Sequence, residues 1–305
     1  MDGLTDDLHD GLVVAAHGRH VMVETPTRER VLCLLRGKGR NAPDLVVGDH
    51  VHWRTAGDAG VVEALQPRRN LLFRQDDWRT KSFAANLDLM LLLVAAEPVF
   101  SESQLARALI AARQADIPAL VGFNKTDLPS AALARERLAP YRAMGVDVVE
   151  MAVKQAPEAA KAALQPWLAG RTTLVLGPSG MGKSTLINLL IPSAAAQVGE
   201  ISQALGTGRH TTTSSTWYWL DDAHNGALID SPGFQEFGLR QIAPEQLATL
   251  MADYNAALGH CRFHNCSHRH EPGCGVREAI ARGEISPSRQ RIYEELWGEL
   301  SQQRW

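Results

Sequence analysis

The chain has 305 residues, of which 45% are hydrophobic and 21% charged, with a formal net charge of -3. This is an ordinary soluble globular composition, long enough for two or three domains, and it excludes a protein that is basic all over. There is no run of eighteen apolar residues, and the opening Met1-Asp2-Gly3-Leu4-Thr5-Asp6-Asp7 has no basic-then-apolar leader pattern, so a cytoplasmic protein without membrane contact is expected.

Residues 1–75 carry short β-type runs at Leu12–Val14, His20–Val23, Val31–Leu35, Val51–Trp53 and Gly60–Val62, with glycine turns between them. Close-spaced strands of this kind predict a small OB-like barrel. Arginines decorate it at 19, 28, 30, 36, 40, 54, 68, 69 and 74, interleaved with His20, His52 and Trp53. That mixture suits an RNA-binding surface, with a solvated arginine-rich exterior as the alternative. Cys33 lies in an apolar run and reads as a buried small hydrophobe.

The texture then changes. Leu87–Ala95 is nearly continuous apolar sequence, as in a strand buried on both faces of a parallel sheet. A helical pattern over Ser103–Arg113 and a strand over Pro118–Phe123 follow. The strand delivers Asn124-Lys125-Thr126-Asp127 at its carboxyl end. A carboxylate such as Asp127 can accept from both N1–H and the exocyclic amine of guanine, and adenine offers neither donor there. Asn124 would tether the loop and Lys125 would lie along the base. A helix over Ala131–Met144 and a strand over Val146–Met151 continue the alternation, which predicts a doubly wound sheet with ligands at the carboxyl ends of its strands.

Gly177-Pro178-Ser179-Gly180-Met181-Gly182-Lys183-Ser184 satisfies the P-loop spacing G-x-x-x-x-G-K-[ST], between an apolar run at 172–176 and a helical stretch opening at Thr185. Glycines let backbone N–H groups converge on phosphate oxygens, and the helix N-terminus adds its dipole. Lys183 would reach the β- and γ-phosphates and the Ser184 hydroxyl would ligate Mg²⁺. Downstream, Gly208-Arg209-His210-Thr211-Thr212 reads as a switch loop in which Thr211 or Thr212 senses the γ-phosphate through Mg²⁺. After a strand pair at Trp217–Leu220 and Ala227–Ile229 comes Asp230-Ser231-Pro232-Gly233. Asp230 reads as the Mg²⁺ carboxylate, and Gly233 can offer its N–H to the γ-phosphate.

Near the C-terminus, Cys261-x4-Cys266-x-His268-x5-Cys274 supplies three thiolates and an imidazole within a stretch too short for a core. Three cysteines and one histidine complete a tetrahedral structural zinc site, with His260, His264 and His270 as rivals for the fourth position. Arginines 262, 269, 277, 282, 289 and 291 surround it as a second candidate phosphate-facing surface.

The nucleotide motifs together look like a GTPase, yet Asn124-Lys125-Thr126-Asp127 precedes the P-loop, so the chain resembles the circularly permuted GTPases. With the OB-like start and the Cys-x4-Cys-x-His-x5-Cys tail, it resembles the RsgA (YjeQ) family of bacterial GTPases for small-ribosomal-subunit biogenesis over nearly its whole length. The resemblance implies a multidomain α/β protein: an OB-like barrel over 1–75, a circularly permuted GTPase domain over 76–240 and a zinc-binding C-terminal domain over 241–305. It implies a monomer that binds GTP and GDP, the 30S subunit and its 16S rRNA, with one structural Zn²⁺ and with Mg²⁺ accompanying GTP. It also implies that the subunit stimulates hydrolysis, which is coupled to release. Phe234 follows Gly233 where many Ras-type GTPases carry a water-orienting glutamine, so a low resting rate is expected, with His210 as the candidate replacement. A permuted GTPase serving the large subunit, against which the barrel and the zinc cysteines argue, and a nucleotide-gated RNA-binding placeholder whose turnover is incidental are the other readings. Met151-Ala152-Val153 departs from the hydroxyl-plus-alanine pattern common in the remaining base-side loop.

Overall fold

The alternating runs at the start of the chain become five strands, β1 (His9–His17), β2 (His20–Glu24), β3 (Arg30–Leu35), β4 (His50–Ala56) and β5 (Ala59–Leu65). β1 pairs antiparallel with β2 and β4, β2 with β3 and β4 with β5, while β3 and β5 run parallel. The pairings close on themselves, so no barrel strand is left with two bare edges. The inward residues Val13, Val21, Val23, Cys33, Val51, Trp53 and Val62 form a hydrophobic cluster of their own. Burial pushes the Cys33 thiol up to about 12, as befits a core hydrophobe. The OB-like barrel is therefore present. The computed structural model describes residues 7–35, 44–57, 59–75, 80–194, 197, 215–231 and 238–302.

Several barrel arginines are committed within the molecule. Arg68 forks onto Asp49, which is fully buried, with N···O distances of 2.7 and 2.8 Å. Arg69 reaches Asp88 and the Asn86 carbonyl, both at 2.8 Å. Arg28 and Arg30 converge on Glu24, a carboxylate only 4% exposed, which also accepts from Trp219 Nε1 at 2.8 Å. These groups fasten the barrel to itself and to the sheet beside it.

A hairpin of β6 (Leu71–Gln75) and β7 (Thr80–Ala85) connects the barrel to the central sheet. That sheet contains β8 (Leu89–Ala95), β9 (Ala119–Asn124), β10 (Asp147–Glu150), β11 (Thr172–Leu176), β12 (Thr216–Trp219) and β13 (Ala227–Asp230). Their spatial order is β10-β9-β8-β11-β13-β12, parallel throughout except for β12. Every residue of β8 is buried, each large side chain contributing roughly 1.5–3 kcal/mol on removal from water. β12 also meets β1 at Ala15 and Thr216, so the barrel hangs from the edge of the sheet.

Helices alternate with these strands as expected: α1 (Glu102–Gln114), α2 (Ala131–Ala143), α3 (Pro157–Leu168) and α4 (Lys183–Leu190). Ser101 caps α1, its side chain accepting from Gln104 N at 3.3 Å, and Arg113 complements the dipole in the last turn. The C-terminal segment adds the short α5 (Leu247–Leu250) and α6 (Ala252–Asn255), then α7 (Gly275–Ala281) and α8 (Pro287–Leu300). α8 is tied down by Arg289, 3% exposed, which forks onto Asp253 at 2.8 Å twice and lies over the Tyr141 ring. Burial alone would lower the Arg289 pKa, yet it is raised, because Asp253 hydrogen-bonds and neutralises it. Arg107 pairs with Glu299, and Ser288 with Glu102 at 2.6 Å, so the last helix clasps α1. Among the described residues, no helix is long and apolar enough to cross a membrane.

Candidate nucleotide site and metal centre

A parallel sheet brings the carboxyl ends of its strands to one edge. Here that edge carries Glu97 after β8, Asn124 ending β9, Met151 after β10, Gly177 after β11 and Asp230 ending β13. Sequence-distant residues thereby become neighbours. Val175 and Asp230 face each other in the β11–β13 ladder, which sets the candidate Mg²⁺ carboxylate beside the entrance of the P-loop.

Within the loop, Gly182 caps α4 at φ 99°, in the left-handed region that only glycine occupies cheaply. A Cβ there would sit 2.4 Å from Asn124 Nδ2, so the position is closed to any side chain. Lys183 starts α4 and donates to Asp230 and to the Ser231 carbonyl at 2.8 Å. Ser184 is exposed beside it. Pro178, Ser179, Gly180, Met181 and Thr185 complete the loop and the first turn, with Met181 buried beneath it.

The base-side motif is wired into this loop. Asn124, 3% exposed, donates from Nδ2 to the Met181 carbonyl at 2.9 Å and accepts at Oδ1 from Val153 N at 3.1 Å. Lys125, at φ 60°, extends Nζ to the carbonyls of Glu97 at 2.6 Å and Gly180 at 2.9 Å. Thr126 N donates to the Met151 carbonyl at 3.2 Å. Asp127 stands exposed, with no partner among the described residues. Met151-Ala152-Val153 thus joins the site through its backbone, so its unusual side chains do not disqualify it. The carbonyls of Glu97 and Ser231 escape sequence reading because a carbonyl carries no side-chain signature. Their positions just after strands of a doubly wound sheet were the available signal. His210, Thr211, Thr212 and Gly233 lie outside the described residues.

Farther along the chain, Cys261, Cys266, His268 and Cys274 bring one ligand atom each within 4.8 Å of one another. His268 Nδ1 is 3.5 Å from the sulfurs of both Cys261 and Cys274, which are 4.0 Å apart. Metal–sulfur bonds of about 2.3 Å and metal–nitrogen bonds of about 2.0 Å in a tetrahedron require edges of roughly 3.5–3.8 Å, so the four donors fit such an ion. His268 joins the group, and His260, His264 and His270 do not. Burial pushes the Cys266 thiol up to about 12 and lowers His268, so neither would be charged here without an ion or partner. Burial alone would raise Glu271, but it is held far below the usual carboxylate range. It accepts from Ser267 N and Oγ at 2.8 and 2.6 Å, and from the N–H groups of Arg269 and His270 at 3.2 Å.

The RsgA GTPase family profile matches residues 65–240. A protein of Variovorax paradoxus (strain S110) named small ribosomal subunit biogenesis GTPase RsgA is 58% identical over 303 residues, 98% of this chain and 94% of the relative. A protein of the same name from Burkholderia pseudomallei (strain K96243) is 52% identical over 295 residues, 96% and 92% of the two chains. Among solved structures, YjeQ from Thermotoga maritima superposes with a TM-score of 0.75 at 30% identity, over 97% of this chain and 100% of that one. YloQ, described as a circularly permuted GTPase, gives a TM-score of 0.71 at 24% identity over 98% of each chain, a likeness of fold.

Proposed function

The chain belongs to the RsgA GTPase family and is a GTP hydrolase, and from that premise we propose that it acts in maturation of the small ribosomal subunit, binding the 30S particle through its 16S rRNA. The particle stimulates hydrolysis, and hydrolysis is coupled to release. In this reading Asn124, Lys125, Thr126 and Asp127 hold guanine, and residues 177–185 hold the phosphates. Ser184 and Asp230 take Mg²⁺, which when bound neutralises charge on the β- and γ-phosphate oxygens. With Asp230 engaged as a metal ligand, Lys183 would be free to turn from that carboxylate toward the phosphates. Thr211 or Thr212 and the Gly233 N–H sense the γ-phosphate, and His210 stands in for the glutamine that Phe234 displaces. Cys261, Cys266, His268 and Cys274 hold one structural Zn²⁺ with no open position for catalysis. The protein works as a cytoplasmic monomer.

The observation that supports this best is Asn124, whose amide joins the P-loop at Met181 to the base-side loop at Val153. One residue thereby fixes the spacing between phosphate cradle and guanine carboxylate, as a site selective for GTP requires. The test is GTP hydrolysis by the purified protein alone, with 30S subunits and with 50S subunits. Strong stimulation by 30S only is expected. Equal or absent stimulation would leave a GTPase without the proposed partner.

A further inference from the structure

Between the first two cysteines of the metal cluster the chain exposes an aromatic ring. Phe263 is 41% exposed, and the Arg262 guanidinium lies over it, 5.5 Å from the ring centroid. Among the large hydrophobic side chains exposed in the described residues, it is the aromatic one. The segment is also firmly positioned. Arg262 N donates to the Gly273 carbonyl at 2.8 Å, and Cys266 N to the Phe263 carbonyl at 3.3 Å. Gly273 sits at φ 69°, where a Cβ would come within 3.2 Å of Arg262 Cβ, so the turn at 272–273 lies close against the loop.

The exposed charged side chains of residues 261–277 have one sign. Arg262, Arg269 and Arg277 are exposed, as are His264 and His270. Glu271, the nearest carboxylate in the chain, is turned onto the backbone of Ser267, Arg269 and His270, and the next one along the chain is the exposed Glu278. A rigid ring with a guanidinium beside it, set in a cationic surface, matches unpaired nucleotides. Bases offer a flat face to the ring, and phosphates meet the arginines. A duplex hides its base faces, and a protein partner would gain little from the surrounding positive charge.

We propose that Arg262 and Phe263 form a base-stacking platform for single-stranded RNA on the metal-bound lobe. The proposal rests on the reading of an RNA-containing partner and names where an unpaired segment of that RNA is held. Removing one stacking ring typically weakens single-strand binding roughly 5- to 100-fold.

The experiment uses the zinc-loaded full chain and an RNA of about 12 nucleotides carrying one 2-aminopurine, alone or annealed to its complement. Phe263→Ala should weaken single-strand binding about tenfold and abolish the 2-aminopurine quench, with an unchanged salt slope and unchanged duplex binding. Phe263→Trp should retain both affinity and quench. Arg262→Gln should reduce the salt slope by about 0.7, one phosphate contact on a single strand. Zinc content and basal GTP hydrolysis should match the parent in all three variants. Parent-like binding by Phe263→Ala, or a loss in Phe263→Trp equal to that in Phe263→Ala, would overturn the platform. So would weakened binding to 30S particles with intact oligonucleotide binding, which would mark a protein contact. If 30S particles stimulate the parent and Phe263→Ala alike with equal affinity, the platform falls while the proposed partner stands. If they stimulate neither, the partner falls, and the oligonucleotide result still decides the platform.

Discussion

Asn124 and Gly182 are complementary: the amide of one fills the volume that any side chain on the other would need. Gly182→Ala therefore combines left-handed backbone strain of roughly 1–2 kcal/mol with displacement of Asn124 from Met181 and Val153. GTP affinity should fall roughly 10- to 100-fold, since each 1.4 kcal/mol is a factor of ten, as read by titration of a fluorescent GTP analogue. Gly283→Ala is the control. It has a comparable φ of 77° but open space around the missing Cβ, and should bind GTP like the parent. Equal affinities for all three proteins would disprove this packing role. The P-loop glycines were legible in the sequence because their chemistry is local. The partners of Asn124 were not, lying 57 and 29 residues away along the chain. A separation of 19 residues likewise hid the role of Arg68, which reads as surface decoration until the barrel brings a buried Asp49 to it.

Strands and helices with strong periodicity appear where the sequence puts them, β8 and α2 within a residue or two. α5 and α6, four residues each, are too short for a 3.6-residue period to register. The β6–β7 hairpin was equally silent, because Asp76-Asp77-Trp78-Arg79 between its strands contains no Asn-Gly or Asp-Gly pair. At this scale the attachment of α8 depends on the buried Arg289–Asp253 pair. Arg289→Met alone leaves a buried carboxylate without its partner and should destabilise the protein by roughly 3–5 kcal/mol. Arg289→Met with Asp253→Leu should recover most of that loss, because two apolar groups need no pairing. Urea unfolding midpoints measure both. A single-variant loss under about 1 kcal/mol would mean that water already serves Asp253.

Across the whole molecule, the segment leaving Asp230 is gripped from two sides as soon as it returns to the described residues. Gln75 N donates to the Gly238 carbonyl at 3.3 Å, and Arg240 N to the Gln75 carbonyl at 3.1 Å, while the Arg240 guanidinium bonds the Glu299 carbonyl on α8. The hairpin from the barrel and the last helix therefore share one stretch of chain just after the candidate switch. Hydrogen exchange with a GTP analogue against GDP should show altered protection at Gln75 and through residues 240–275. Identical exchange there in both states would disconnect the nucleotide from the lobe that carries the cysteine cluster.

The permuted order of the sheet also has a consequence for how the protein is made. β8, β9 and β10 leave the synthesising ribosome first, and β8 must wait for β11 to cover its inner edge, Leu91 beside Val175. At typical elongation rates that edge, apolar along its whole length, stands bare for roughly 4–16 s. The candidate guanine loop at 124–127 is thus born before the candidate phosphate loop at 177–185, and Asp230 and Gly233 come last of all. A nascent chain cannot assemble the candidate site until its GTPase portion is almost entirely synthesised, while residues 241–305 are still to come.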